Sequence, residues 1–75
     1  MLLRDFQPGQ EGRILRFKPG KSEYRKRLFT LGVLPGTSFQ VTRVAPLGDP
    51  VEIKIRGSQI SVRKDEIEVI EVEKL

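Results

Sequence analysis

Enzymes commonly set a nucleophile beside a base, and this chain of 75 residues offers the first without the second. Ser22, Ser38, Ser58 and Ser61 carry hydroxyls, but the sequence contains no histidine and no cysteine. A serine hydroxyl is a weak nucleophile until a neighbouring base takes its proton. Asp65 and Glu66 supply two carboxylates of the type used in acid–base work. Adjacent side chains diverge, however, and this pair sits within the charged run Arg63-Lys64-Asp65-Glu66. The glycine-rich loop that cradles nucleotide phosphates in P-loop proteins is missing. The expectation is therefore a chain that is not an enzyme and does not bind GTP by itself.

The same two absences bear on metals and staples. A zinc finger and a disulfide framework are both excluded. Iron(II) sites usually recruit imidazole with carboxylates around it, so neither a resident metal nor a cofactor is expected. The carboxylates near the C-terminus suit at most weak binding of hard cations.

What remains is surface. The net charge is +4, and it is unevenly placed. Arg13, Arg16, Lys18, Lys21, Arg25, Lys26 and Arg27 stand against the single acid Glu23. From Asp65 onward, Asp65, Glu66, Glu68, Glu71 and Glu73 stand against Lys74. Such a bipolar chain can steer a charged partner, although a small domain must put its charges outside in any case. The densest cluster is Arg25-Lys26-Arg27, which reads either as a solvated helix face or as an electrostatic docking point for an acidic partner. Val33 and Leu34, just beyond it, are the matching apolar candidates. If either stands exposed, it marks a contact site. If both Leu31 and Leu34 are core, the segment is only a helix stop and a turn. Nucleic acid is less well supported. Barrels that bind single strands stack bases on aromatic side chains, and Phe6, Phe17, Tyr24, Phe29 and Phe39 read mostly as core.

These residues need elements to hold them. Pro8-Gly9 and Pro19-Gly20 are turn signals. Between them, Gly12–Phe17 reads as a strand whose Arg13 and Arg16 break strict alternation, which calls for a bulge or an edge position. Ser22–Leu31 is the one substantial helix. Ser22 suits its N-cap, Glu23 its positive end, and Tyr24, Leu28 and Leu31 share one face. Gly32 fits the left-handed residue that ends a helix, and Pro35-Gly36 fits the centre of a type II turn. Strands follow at Ser38–Val44, with Phe39 and Val41 on one face, and at Val51–Ile55, with Val51, Ile53 and Ile55 inward. Between these two strands, Ala45–Pro50 is a rigid loop in which Gly48 permits a reversal. Gly57-Ser58 reads as a type II′ hairpin leading into Gln59–Val62. Arg63–Glu66 forms one helical turn, and Ile67–Val72 closes the sheet.

The chain fits one domain, residues 1–75. At this length only about 60% of the unfolded surface is buried, so the core is thin. Five short strands and one inserted helix favour closure, because open sheets this small leave edges that aggregate. The expected fold class is mainly β, a small SH3-like barrel, with an OB-fold as the alternative. Unpaired outer strands would also allow weak self-association. The N-terminus lacks a signal-peptide pattern, and the longest uncharged stretch, Leu28–Thr42, is too short and broken to span a bilayer. A cytoplasmic protein without membrane insertion is expected.

Three stretches in order, Leu31-Gly32-Val33-Leu34-Pro35-Gly36, then Arg43-Val44-Ala45-Pro46-Leu47-Gly48-Asp49-Pro50, then Ile60 through Glu66, make the chain resemble the FeoA family. Tyr24 through Leu28 adds to the likeness, which covers nearly the whole chain. The resemblance implies an SH3-like barrel that serves bacterial ferrous iron uptake. It also implies a partner, the FeoB-type membrane transporter, which carries a cytosolic GTP-binding domain. A similar barrel ends metal-dependent repressors, which leaves a nucleic-acid-binding or repressor-type role as the rival reading. This chain, however, is too short to hold the helix-turn-helix domain that would accompany it.

Overall fold

The structure is a computed structural model, and it describes residues 1–19 and 22–75. Five strands, β1 (Glu11–Phe17), β2 (Ser38–Val44), β3 (Val51–Ile55), β4 (Ser58–Val62) and β5 (Ile70–Lys74), form one antiparallel sheet in the order β4-β3-β2-β1-β5. Helix α1 (Ser22–Thr30) lies between β1 and β2, and the single turn α2 (Lys64–Ile67) lies between β4 and β5. The sheet curls around its core, but β4 and β5 do not pair, so the expected closure by strand hydrogen bonds does not occur. The N-terminal turn Leu3–Asp5 covers part of the β5 edge instead, with the Val72 amide donating to the Met1 carbonyl at 3.1 Å.

Alternation fills the core as expected. Phe39 and Val41, then Val51, Ile53 and Ile55, then Ile60 and Val62 all point inward. Two bulges adjust the register. Ile14 faces Val72 and Arg16 faces Glu71, so Leu15 is the extra residue in β1. Val41 faces Ile53 and Arg43 faces Glu52, which makes Thr42 the extra residue in β2. The first of these accounts for the broken alternation in the sequence.

Three local expectations change. Gly57 is not the first central residue of a II′ turn. The two-residue loop is Arg56-Gly57, with φ of 49° and 84°, and Ile55 pairs with Ser58. Two positive φ values define a type I′ turn, which suits the right-handed twist of the flanking strands. Ser22 is the first residue of α1 rather than the cap before it, and the preceding position, like Gly20 of the Pro19-Gly20 break, lies outside the described residues. Ile67 belongs to α2, and β5 starts at Ile70.

The end of α1 behaves as its sequence indicates. Gly32 has φ +90°, the Val33 amide donates to the Leu28 carbonyl at 2.9 Å and the Gly32 amide to that of Phe29 at 3.0 Å. This is the full Schellman pattern, closed by an apolar pair, Leu28 and Val33, both buried. Gly36, at φ +88°, then completes the Leu34–Thr37 turn, whose Thr37 amide donates to the Leu34 carbonyl at 3.1 Å.

Candidate functional site

The candidates on α1 and the following turn separate into four groups. Arg25 and Lys26 are exposed and enter no ion pair among the described residues. Arg27 is spoken for. Its guanidinium pairs with the carboxylate of Glu66, which is only 3% exposed, and donates to the Ser61 carbonyl at 3.3 Å. Glu66 also accepts the Arg63 main-chain amide at 3.0 Å. A buried carboxylate needs such partners because desolvation penalises its charge. Arg27 therefore ties α1 to α2 and the β4 edge, and Tyr24 reinforces the tie by donating to Asp65 at 3.3 Å.

Val33 and Leu34 part company. Val33 is completely buried, so it is no surface contact, and burying such a side chain contributes roughly 1.5–3 kcal/mol to folding. The Schellman geometry dictates this, since it turns the residue after Gly32 back onto Leu28. Leu34 projects from the turn and is 41% exposed. Of the two alternatives that the sequence left open, Leu34 is the exposed one.

Three further apolar side chains join it that the sequence did not single out as exposed. Phe29, read as core, is 48% exposed, and Leu31, placed on the buried face of the helix, is also exposed. Phe29 lies about 100° around the helix from Leu28, off the stripe that meets the sheet. Its ring packs edge-on against Phe17 with centroids 5.0 Å apart. Leu15, the bulged residue of β1, is exposed too. The strand that carries it adjoins the Leu34 turn, because Ile14 donates to Thr37 and accepts from Gly36 at 2.9 and 2.7 Å. Exposed apolar side chains from β1, the end of α1 and the turn are thus carried by adjoining segments, with Arg25 and Lys26 on the helix beside them. Helical-wheel placement of Phe29 was the available signal. For Leu15 the signal was the broken alternation of its strand, which called for a bulge without saying which residue it would turn out.

The C-terminal carboxylates do not gather into a site. Glu68 pairs with Arg4, Glu71 with Arg16 at 3.1 Å and Glu73 with Arg13 at 3.8 Å. The hydrogen bond from Arg4, with its charge, holds Glu68 below the usual glutamate range, and the hydrogen bond from Arg16 does the same for Glu71. Among the described residues no group of three or more potential ligands is arranged to hold a metal ion. Among the described residues no helix is long and apolar enough to cross a membrane.

A five-stranded curled sheet with one inserted helix, a rim of cations and an apolar turn defines a small SH3-like domain. Comparison with known proteins narrows the class. The FeoA domain model matches residues 1–74, and the chain belongs to the FeoA family. A fusion of Fe(2+) transport protein A with the Fe(2+) transporter FeoB, from Porphyromonas gingivalis, is 34% identical over 73 residues. That match takes in 97% of this chain but only 8% of the fusion protein. The solution structure of iron(II) transport protein A from Clostridium thermocellum superposes with a TM-score of 0.89 at 39% identity. It covers all of this chain and 46% of that one. FeoA of Stenotrophomonas maltophilia, described as a prokaryotic SH3 domain protein, has the same fold, with a TM-score of 0.79 at 17% identity over 97% of this chain and 89% of that one.

Proposed function

We propose that this chain is a non-catalytic accessory factor of ferrous iron uptake, acting at the cytoplasmic face by contact with a FeoB-type transporter. The observation that carries this reading is the fusion relative, in which a region similar to nearly the whole of this chain is joined covalently to the transporter. Fusion keeps two partners at high effective concentration, and selection for it makes sense where the two must meet. The contact surface is the outer side of α1 with the Leu34 turn. Arg25 and Lys26, which enter no ion pair among the described residues, provide attraction, and Leu34, Phe29 and Leu31 provide apolar area. Arg27 supports this surface from behind. The transporter's GTP-binding portion is the expected docking point, since it is the cytosolic part of that partner.

The test is binding of the chain to the purified GTP-binding portion of the cognate transporter, with and without a GTP analogue, at two salt concentrations. Saturable binding that weakens with salt and falls on Arg25→Gln, Lys26→Gln or Leu34→Ala is the expected result. Absence of binding to that portion and to the full-length transporter in membranes overturns the reading, as does unchanged binding by a folded Leu34→Ala variant.

A further inference from the structure

A groove away from the outer side of α1 has a chemistry of its own. One part, about 660 Å³, lies between the Leu34–Ser38 turn and Arg56. A second, about 300 Å³, continues past Ser38 and Arg56 to Gln40 and Lys54, with Glu11 at its rim. The shared residues Ser38 and Arg56 make the two parts one trough.

Its origin is a ladder that stops early. Pairing of β2 with β3 reaches only Gln40–Lys54, although β2 begins at Ser38 and β3 runs to Ile55. The β3–β4 hairpin peels away from there. Main-chain direction then follows from alternation. The Val41 amide donates to Gln10 and its carbonyl accepts from Gly9, so Val41 and Phe39 direct their main-chain groups toward β1. Ser38, one residue away, directs its amide and carbonyl to the opposite side, into the trough. Main-chain groups at such a place must be met by water or by a ligand.

The walls are asymmetric. Leu34 and Pro35 form an apolar end. Lys54 and Arg56 form a cationic end, and neither enters an ion pair among the described residues. Glu11 is the one carboxylate on the lining. Arg56 sits in a tight turn, so little main-chain freedom is lost when it binds. We propose that this trough receives an extended, acidic peptide segment. Its main chain would hydrogen-bond at Ser38 in the manner of an added strand. Its carboxylates would lie on Lys54 and Arg56, and an apolar side chain would rest against Leu34 and Pro35. A nucleic acid fits less well because the one aromatic of the lining, Phe39, is buried and offers no stacking face. The inference does not rest on the transporter reading, which shares the Leu34 turn with the trough but uses neither Lys54 nor Arg56.

The experiment is a titration of the isotope-labelled chain, followed by amide NMR shifts. The probe is a synthetic peptide of alternating glutamate and valine with one terminal leucine, and its all-glutamine counterpart serves as control. Saturable shifts confined to Leu34–Gln40 and Lys54–Gly57 are expected, with weakening of about tenfold in a Lys54→Gln, Arg56→Gln double variant. A variant carrying Arg25→Gln and Lys26→Gln should bind like the parent. Should the double variant fail to fold, the salt dependence of the parent decides, because charge pairing must weaken with salt. Absent shifts, shifts centred on α1, or equal affinity for the glutamine control overturn the proposal. So does tighter binding of a single-stranded oligonucleotide to the same residues.

Discussion

At the scale of single residues, three adjacent cations fall into two different situations, and sequence alone cannot separate them. Arg25, Lys26 and Arg27 are chemically similar, yet only Arg27 meets a buried carboxylate. Removing one partner of such a pair leaves the other desolvated and unmatched, which costs more than the pair itself contributes. Arg27→Ala should therefore destabilise the fold by about 2 kcal/mol, discounted from the fully buried case because Arg27 is half-exposed. Arg25→Ala and Lys26→Ala should stay within about 0.5 kcal/mol of the parent, as ordinary surface changes do. Urea unfolding of the three variants checks this ordering. Equal stability of all three would mean that Glu66 finds compensation elsewhere. The same contrast keeps the docking test clean, because only Arg25 and Lys26 can be changed without loosening the helix.

Elements were legible where a local rule decides the backbone. Glycine and proline placed the end of α1 and the Leu34–Thr37 turn, and period-two alternation placed the core faces of β2, β3 and β4. Legibility failed where a distant partner decides. Leu31 has the right helical spacing for burial, but the Schellman turn hands that place to Val33, two residues later. The hairpin at Arg56-Gly57 was misplaced by one residue because an arginine at positive φ is unusual and only the cross-strand register requires it. The Ala45–Pro50 loop read as a passive connector, and here the fold adds a role. Asp49 Oδ1 accepts the Lys64 amide at 2.8 Å, capping α2 from across the molecule. An amide at a helix start has no partner within the helix, and Arg63, the cap position, supplies none with its side chain. Asp49→Ala should then cost about 1 kcal/mol, with the loss concentrated in α2. Hydrogen exchange should quicken at Ile67 more than in β3, whereas uniform quickening would assign Asp49 a different part. Asp49→Asn retains an acceptor and should cost less.

At the scale of the whole molecule, the bipolar charge pattern has a use beyond the two that the sequence left open, a steering field and solvated faces. Basic residues crowd the first third and acidic residues the last seventh or so. The fold brings the two ends together. Arg4–Glu68, Arg13–Glu73, Arg16–Glu71 and Arg27–Glu66 are four of the five ion pairs among the described residues. Two of the four, Arg13–Glu73 and Arg16–Glu71, span the β1–β5 ladder, the longest-range pairing of the sheet. Pairing leaves the net charge of +4 unchanged, and Arg25 and Lys26 on α1 and Lys54 and Arg56 at the trough are among the cations that enter no ion pair among the described residues. The pairing also sets a pH dependence whose direction is fixed. Arg4 and Arg16 hold the Glu68 and Glu71 carboxylates below their ordinary range in the folded chain. A group whose folded pKa is depressed contributes stability that is complete above its unfolded value, about 4.3 for glutamate. That contribution disappears as pH falls through the lower, folded value. A Glu68→Gln, Glu71→Gln double variant should accordingly melt below the parent at pH 7. The gap in Tm should hold down to about pH 4.3 and close under further acidification. Both pairs are solvent-exposed, so 1 M salt should shrink the gap at every pH. Thermal melts from pH 7 to 2.5 at two salt concentrations read all of this directly. A gap that persists at pH 2.5 would show that it does not come from the charge on these glutamates, because glutamine keeps the same alkyl stem.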